Sequence, residues 1–298
     1  MIEPVGVERD AVVTSLGTMV YYSPRGQLWG DGENKSSLVF LHGFGGGSSA
    51  YEWSKVYPAF APEYRVLAPD LLGWGRSDHP EKSYSPQDYV QTINEFIERT
   101  CPQPPFVIAS SLVAAITIQA AIAAPQLYRG LILSTPTGLS DFGEDYRRNF
   151  FAQLTSMPVL DRFIYFAGIA NSTGILNFLE KRQFAQANRI FPEIVEAYLE
   201  SATQPGAEYA ALSFVRGDLC FDLAQFMPQL QVPTAIIWGE KSQFTPPSLG
   251  KRLAQLNTEA VLRFVEIPKV GLTPHLELPA VAIAVIRQFL TLLQNVAR

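Results

Sequence analysis

Two adjacent serines, Ser110 and Ser111, lie where a short apolar run meets a long uncharged stretch. Residues 106–108 have the continuous apolar character of a buried strand, and the stretch that begins at Leu112 has that of a buried helix. A serine on a sharp turn from strand to helix can expose its hydroxyl as a nucleophile, provided that a general base accepts the proton. The same serine can also act only as a helix cap. This turn is therefore the first candidate site.

A glycine-rich loop follows another apolar run at residues 38–41. It begins with His42, Gly43 and Phe44 and continues through three glycines at positions 45–47. The backbone amides that such a loop exposes can stabilise an oxyanion. A phosphate-binding loop is the competing interpretation, but no Gly-Lys-Ser/Thr follows and the glycines do not fit the dinucleotide fingerprint. We therefore expect the loop to serve as part of an oxyanion hole.

Apolar runs alternate with longer helical patterns along most of the chain. The runs that predict strands lie at 17–22, 38–41, 65–68, 106–108, 131–133, 234–238 and 262–267. Helical patterns lie at 86–99, at 112–124 and at 280–293, and the first of these has Ser85 as its cap and Pro86 in its first position. Strands that alternate with helices predict an α/β fold with a mostly parallel sheet flanked by helices.

One interval breaks this alternation, because residues 139–226 contain helical patterns and no convincing strand. We interpret it as a helical lid inserted into an α/β core that comprises residues 1–138 and 227–298. Its aromatic residues could contact an apolar acyl or aryl group or could simply pack the helices on the sheet. They are Phe150, Phe151, Phe163, Tyr165, Phe166, Phe178, Phe184 and Tyr198.

Five sequence blocks, taken together, resemble the α/β-hydrolase superfamily. They are HGF at 42–44, DLLGWGRSD at 70–78, the strand–turn–helix junction at 106–113, VPTAIIWGEKSQF at 232–244 and TPHLELP at 273–279. Their order and spacing cover nearly the whole chain. The resemblance implies an α/β-hydrolase fold with an inserted helical lid, and a serine hydrolase whose catalytic triad is atypical.

The resemblance implies that Ser111 is the nucleophile. In the family this serine lies in a G-x-S-x-G turn, strained so that its hydroxyl projects above the sheet. Here Ser110 occupies the variable position before the nucleophile, while Ala109 and Val113 occupy the two glycine positions. Alanine adds one methyl group, but a β-branched valine crowds the turn beside the helix.

The resemblance also implies that His275 is the general base, since the family keeps its catalytic histidine between the last strand and the last helix. It assigns the oxyanion hole to the backbone amides of Phe44 and Leu112. His42 is expected to shape the glycine loop and, with Gly43 and Ser110, to border the bound substrate. His79, the third histidine, follows the GRSD turn and is expected in a surface loop.

The acid of the triad is the element that departs from the family pattern. The family presents an aspartate a few residues after the strand at 234–238, and the matching position here is Ser242. A hydroxyl can accept a hydrogen bond from imidazole, but it carries no charge to stabilise the imidazolium. Neutralising the carboxylate of a serine protease triad costs about 10⁴ in kcat, or roughly 5 kcal/mol. Glu240 and Asp141 are the other candidates, although each also fits a plain exposed carboxylate.

Composition excludes several classes of function. Of 298 residues, 47% are hydrophobic and 17% charged, which predicts a sizeable core. The net charge of -5 argues against nucleic acid as the main partner, and the 112–124 stretch is too short to span a bilayer. The N-terminal residues resemble no signal peptide, and the distant Cys101 and Cys220 predict free thiols in a reducing compartment. We expect a cytoplasmic protein that acts on a small molecule and uses no metal or cofactor, since no motif for either occurs.

Two classes of function remain open from the sequence. The first is a serine hydrolase that acts on a carboxylic ester or related acyl compound of a small, largely apolar molecule, with slow turnover expected from the serine in the acid position. The second is a non-hydrolytic protein on the same fold, either a ligand-binding or regulatory protein or a lyase that uses serine and histidine as an acid–base pair. Dehalogenase and epoxide hydrolase relatives use an aspartate nucleophile, so Ser111 argues against their chemistry.

Overall fold

The structure is a computed structural model that describes residues 4–30, 32, 35–144 and 165–296. Eight strands in this part of the chain form one sheet, with the order β1-β2-β4-β3-β5-β6-β7-β8. Their bounds are β1 (Val7–Thr14), β2 (Gly17–Pro24), β3 (Ser37–Leu41), β4 (Arg65–Pro69), β5 (Phe106–Ser110), β6 (Gly130–Ser134), β7 (Thr234–Gly239) and β8 (Val261–Ile267).

The sheet is mostly parallel, as the alternating pattern predicted. Strands β3 to β8 pair in parallel with their neighbours, whereas β1 and β2 form an antiparallel hairpin that joins the sheet through β4. Every residue of β3, β5, β6 and β7 is buried, as parallel strands covered on both faces require. All seven strands expected from the sequence are confirmed. An eighth strand, β1, was not predicted because its polar residues interrupt the apolar pattern.

The described residues also form eight α-helices. They are α1 (Pro86–Thr100), α2 (Ser111–Ala123), α3 (Ser172–Phe178), α4 (Pro192–Ala202), α5 (Ala207–Arg216), α6 (Pro247–Gln255), α7 (Pro274–Glu277) and α8 (Pro279–Val296). Short 3₁₀ or π-helical turns lie at Ala50–Trp53, Tyr57–Phe60, Pro125–Leu127, Asp141–Gly143, Tyr165–Ile169, Leu179–Gln183, Ala187–Arg189, Leu223–Gln225 and Met227–Gln229. Ser85 caps α1 in a capping box with Asp88, as its position predicted.

Two apolar layers cover the two faces of the sheet. Helices α1 and α2 pack on one face, and α8 packs on the other together with the turn Ala50–Trp53. By length and composition alone α8 could span a membrane, but Ile286, Phe289 and Leu290 on one side of it are buried against the sheet. One side of α8 is therefore packed on the core.

The interval between β6 and β7 is helical where the structure describes it. It contains α3, α4 and α5, and the helix α4 packs on the glycine loop after β3. Phe150, Phe151 and Phe163 lie outside the described residues. The assignment of residues 139–226 as a lid, and of the remainder as the core, stays a prediction.

Candidate active site

Ser111 lies at the junction of β5 and α2 in a backbone conformation that few residues adopt. Strand β5 ends at Ser110, and Ser111 begins α2 with a φ of 58°. A positive φ costs a non-glycine residue about 1–3 kcal/mol and is uncommon, although Thr135, Leu139, Phe142 and Lys269 also have one here. Val113 is fully buried in α2, so the valine in the glycine position is accommodated without loss of this turn. The geometry is that of a nucleophile elbow.

Two backbone amides near Ser111 are free to donate. The N–H groups of Phe44 and Leu112 have no hydrogen-bond acceptor among the described residues. Leu112 is in the first turn of α2, where amides lack intrahelical acceptors and lie at the positive end of the helix dipole. The Phe44 ring stacks on Trp74 with 4.9 Å between the ring centroids, which holds the loop in place.

The neighbouring His42 is fully occupied by backbone groups. Its Nε2 accepts a hydrogen bond from the Leu71 N–H at 2.9 Å, so its Nδ1 carries the proton and donates to the Gly43 carbonyl at 2.7 Å. The side chains of His42 and Ser110 are both completely buried. His42 therefore has no ring nitrogen left for a substrate, and its contacts are those of a residue that shapes the loop.

His275, in α7, is buried against an aromatic ring. Its imidazole stacks on Trp53 with 3.8 Å between centroids and 15° between planes. The indole Nε1 of Trp53 donates to the Leu41 carbonyl at 2.9 Å, which fixes the ring on which His275 rests. Burial lowers the pKa of His275 and the Glu52 carboxylate only partly opposes this, so the imidazole is neutral near pH 7. Neutral imidazole is the form that a general base requires.

The expected relay Ser111–His275–Ser242 is not hydrogen-bonded in this free structure. The Ser242 hydroxyl and both ring nitrogens of His275 have no hydrogen-bond partner within the described residues. Catalytic hydrogen bonds are often long in free enzymes and tighten when substrate binds. The structure thus places Ser111 directly after β5, Ser242 in the loop after β7 and His275 in α7, which follows β8, and no hydrogen bond joins them.

The two other carboxylates considered for the acid are engaged elsewhere. Glu240 is exposed, pairs with Lys241 at 3.1 Å and accepts from the Lys269 N–H at 2.9 Å. Asp141 is buried, but its carboxylate accepts hydrogen bonds from Thr137, Gly138 and Leu223, and it organises the turn after β6. Neither carboxylate contacts His275.

A carboxylate that the sequence analysis did not single out lies beside His275. Glu52 Oε2 is 3.8 Å from His275 Nε2. In the described part of the chain this is the only carboxylate oxygen within 4.0 Å of a histidine ring nitrogen. Its oxygens accept hydrogen bonds from the Gly43 N–H and the Tyr198 hydroxyl, each at 2.9 Å. The signal in the sequence is a glutamate between Tyr51 and Trp53, where both neighbours are aromatic and the helical turn is buried.

A second buried glutamate, Glu277, holds the loop that carries His275. Its Oε2 accepts from the N–H of Gly271 at 2.7 Å and from that of Ala185 at 3.1 Å. Its Oε1 accepts from Arg189 Nη1 at 2.8 Å. The side chain of Glu277 is fully buried, so these bonds join the His275 loop firmly to the segment that follows α3.

A cavity of about 660 Å³ lies between the sheet and the helical interval. Gly46 of the glycine loop and Gln243, next to Ser242, are part of its wall. The apolar residues of the wall are Leu139, Ile169, Ile175, Phe178, Ala211, Phe214, Val215, Phe244 and Leu249. The described residues hold no cluster of three or more side chains suited to a metal ion.

Gly47 → Ala tests how closely α4 is fitted to the glycine loop. Gly47 has a φ of 92°, and a β-carbon there would lie 2.1 Å from the Tyr198 carbonyl oxygen. We expect a loss of about 2–4 kcal/mol in the free energy of unfolding, from backbone strain and overpacking, measured by urea denaturation. Gly26 → Ala is the control, because its φ is 86° but nothing lies within 4 Å. Equal losses in the two variants would contradict the close fit.

Comparison with known proteins identifies the family of the fold. The sequence profile of the alpha/beta hydrolase family matches residues 38–285, and the chain belongs to this family. An uncharacterized protein of Mycobacterium tuberculosis is 25% identical over 70% of this chain and 62% of its own length, so the chain spans less than two thirds of that relative. Epoxide hydrolase 4 of Mus musculus is 27% identical over 70% of this chain and 60% of its own length.

A solved structure with the same fold is that of a serine hydrolase involved in carbazole degradation. Its TM-score is 0.76 at 18% sequence identity, covering 96% of this chain and 99% of that one. This likeness confirms the α/β-hydrolase fold expected from the five sequence blocks. It agrees with the family match, which by itself places the chain in the alpha/beta hydrolase family.

Proposed function

We propose that this protein is a serine hydrolase that cleaves a carboxylic ester or related acyl compound of a small, largely apolar molecule. The observation that carries the proposal is the φ of 58° at Ser111, at the junction of β5 and α2. A helix cap needs no such strain, because cap residues have extended backbone conformations. Strain at a serine beside free backbone amides supports a nucleophile.

The reaction would proceed through an acyl-enzyme. Ser111 Oγ attacks the acyl carbon while His275 accepts the hydroxyl proton, and the amides of Phe44 and Leu112 hold the oxyanion. The alkoxide leaves as an alcohol with the proton from His275. Water, deprotonated by His275, then attacks the acyl group and releases the acid and the free serine. A ring nitrogen of His275 must come within hydrogen-bond distance of the Ser111 hydroxyl before the first proton transfer.

The apolar lining of the cavity supports the class of substrate. Phe178, Phe214 and Phe244 face a space of about 660 Å³ whose wall includes Gly46 of the glycine loop and Gln243 beside Ser242. Ser111 and His275 are not part of that wall, so a substrate would have to extend from the cavity to reach them. Such a volume accommodates a molecule of modest size. The likeness to an epoxide hydrolase would favour epoxides, but the serine at position 111 favours acyl chemistry. A small-molecule partner and a cytoplasmic location remain predictions.

Reaction with a fluorophosphonate probe tests the proposal without knowledge of the substrate. We expect one adduct per chain by intact mass, mapped by peptide mass spectrometry to Ser111. Because burial lowers the pKa of His275, the labelling rate should rise with pH through a limb below the usual histidine value of about 6.5. Heat-denatured protein is the control. No adduct on the folded protein would refute the proposal and favour a ligand-binding protein or a lyase.

A further inference from the structure

We propose that Glu52 supplies the negative charge that stabilises protonated His275 during the reaction of Ser111, in place of the absent aspartate. The inference rests on the proposed serine hydrolase function and adds a positioning residue to it. Glu52 Oε2 lies 3.8 Å from His275 Nε2, and both side chains are buried. This distance is longer than a hydrogen bond but is short for two groups that can carry opposite charges away from water.

Glu52 is held as a carboxylate. Burial alone would raise the pKa of Glu52, but the adjacent His275 imidazole opposes this and holds the pKa below its usual value. One oxygen accepts from the Gly43 N–H and the other from the Tyr198 hydroxyl. These two donors also fix the position of the carboxylate, so its charge is preorganised before any proton moves.

One helical turn aligns both contacts to His275. Glu52 presents its carboxylate to the ring edge, and the next residue, Trp53, stacks on the ring face. The turn Ala50–Trp53 follows the glycine loop that offers the Phe44 amide. The same segment would therefore place the oxyanion donor, the charge and the aromatic support around one reaction centre.

Among the described residues no other carboxylate lies within 4.0 Å of His275. The buried Asp70 accepts hydrogen bonds from the N–H groups of Ala50 and Arg76 and from the Tyr22 hydroxyl. His42, which follows β3, uses both of its ring nitrogens in hydrogen bonds to backbone groups. From α4, the Tyr198 hydroxyl donates to Glu52. Glu277, in α7 with His275, is bound to Gly271, Ala185 and Arg189. Ser242, at the end of β7, is uncharged. Glu52 is thus the carboxylate closest to His275 in the described structure.

In the reaction Glu52 neither gains nor loses a proton. The Ser111 proton passes to a ring nitrogen of His275 as the bond from Oγ to the acyl carbon forms, and the imidazolium charge is created beside the carboxylate. The proton then passes to the leaving alkoxide oxygen, and the positive charge disappears. Stabilisation is therefore greatest when His275 is protonated, which is the condition for catalysis rather than tighter binding.

Glu52 → Gln tests the charge while keeping the shape of the side chain. The pKa of His275 is measured by NMR in histidine-labelled protein, with its signal assigned by loss in His275 → Asn. The rate of fluorophosphonate labelling is measured over the same pH range. Glu52 → Asp, which keeps the charge one methylene farther away, gives the intermediate case and carries the test if the glutamine variant does not fold. Glu240 → Gln, at the exposed alternative acid, is the matched control.

We expect Glu52 → Gln to lower the pKa of His275 by about one unit, to move the labelling limb to lower pH by the same amount, and to reduce the plateau rate about 10- to 100-fold. Glu52 → Asp should fall between, and Glu240 → Gln should match the wild type. A lower rate at every pH with an unchanged His275 pKa would make Glu52 a support for the loop only, and would overturn the inference.

The failure of this inference is distinguishable from that of the proposed function. If Ser111 is labelled and Glu52 → Gln changes neither the His275 pKa nor the labelling rate, the hydrolase stands and the role of Glu52 is refuted. If the wild type is not labelled, the hydrolase proposal falls, and the role of Glu52 in its reaction falls with it.

Discussion

Replacement of Ser111 by alanine is expected to abolish fluorophosphonate labelling, with a loss of at least about 10⁴-fold in rate. The expectation follows from its role, because a serine nucleophile has no substitute within the elbow and removal of one costs up to about 10⁶ in kcat. Ser111 → Ala should fold normally, since only the hydroxyl of a largely buried residue is lost. Intact mass and circular dichroism give the two measurements.

Two further variants sharpen this prediction. Ser110 → Ala should still be labelled, because the Ser110 hydroxyl is buried at the end of β5. Ser111 → Gly should also lose labelling but gain about 1 kcal/mol in the free energy of unfolding, because glycine adopts a φ of 58° without strain. Labelling that persists in Ser111 → Ala but disappears in Ser110 → Ala would show that the adjacent serine is the nucleophile.

Glu277 → Ala is expected to cost about 3–5 kcal/mol in the free energy of unfolding. The substitution leaves the guanidinium of Arg189 and the N–H groups of Gly271 and Ala185 without their common acceptor. The loss is expensive because the N–H groups of Gly271, Ala185 and Gln186 lose a fully buried acceptor, and the partly exposed Arg189 loses its ion pair. The lost bonds also free the loop of His275, so labelling of Ser111 should slow in the protein that remains folded.

Urea denaturation at pH 7 measures this loss against a matched pair on the surface. Glu63 pairs with Arg287 at 2.9 Å, with both side chains more than 40% exposed. Glu63 → Ala should therefore cost less than about 1 kcal/mol. A similar loss for the two variants would mean that Glu277 contributes no more than a surface ion pair, and that the His275 loop is held by other contacts.

The sequence predicted the sheet well where strands are buried on both faces. Continuous apolar runs gave β2 to β8, but β1 reads VERDAVVT and lies at the edge of the sheet, where half its side chains face water. Helix α6 was missed because nine residues with a central glycine show too few repeats of the helical period. Edge strands and short amphipathic helices depend on neighbours that a single segment does not reveal.

The site was predictable in part for a related reason. Ser111 and His275 are marked by their position at the ends of strands, which a local pattern identifies. Glu52 belongs to a turn 223 residues from His275 in the sequence, and only the packing of Trp53 on that ring brings the two together. The aromatic neighbours of Glu52 in the sequence indicate that this residue is buried, but they do not indicate that it lies beside His275.

The hydrogen bond between Tyr198 and Glu52 limits how the proposed hydrolase could be re-engineered. Helix α4 belongs to the interval that would be exchanged in a lid swap, yet Tyr198 donates to Glu52 and Ser201 donates to the Ser48 carbonyl. Gln183 and Arg189 hold the other side of the centre through Leu272 and Glu277. A replacement of this helical interval that is meant to alter substrate choice must therefore retain residues 183–201, because they support the proposed active site. Only the parts of the interval outside these residues can be varied.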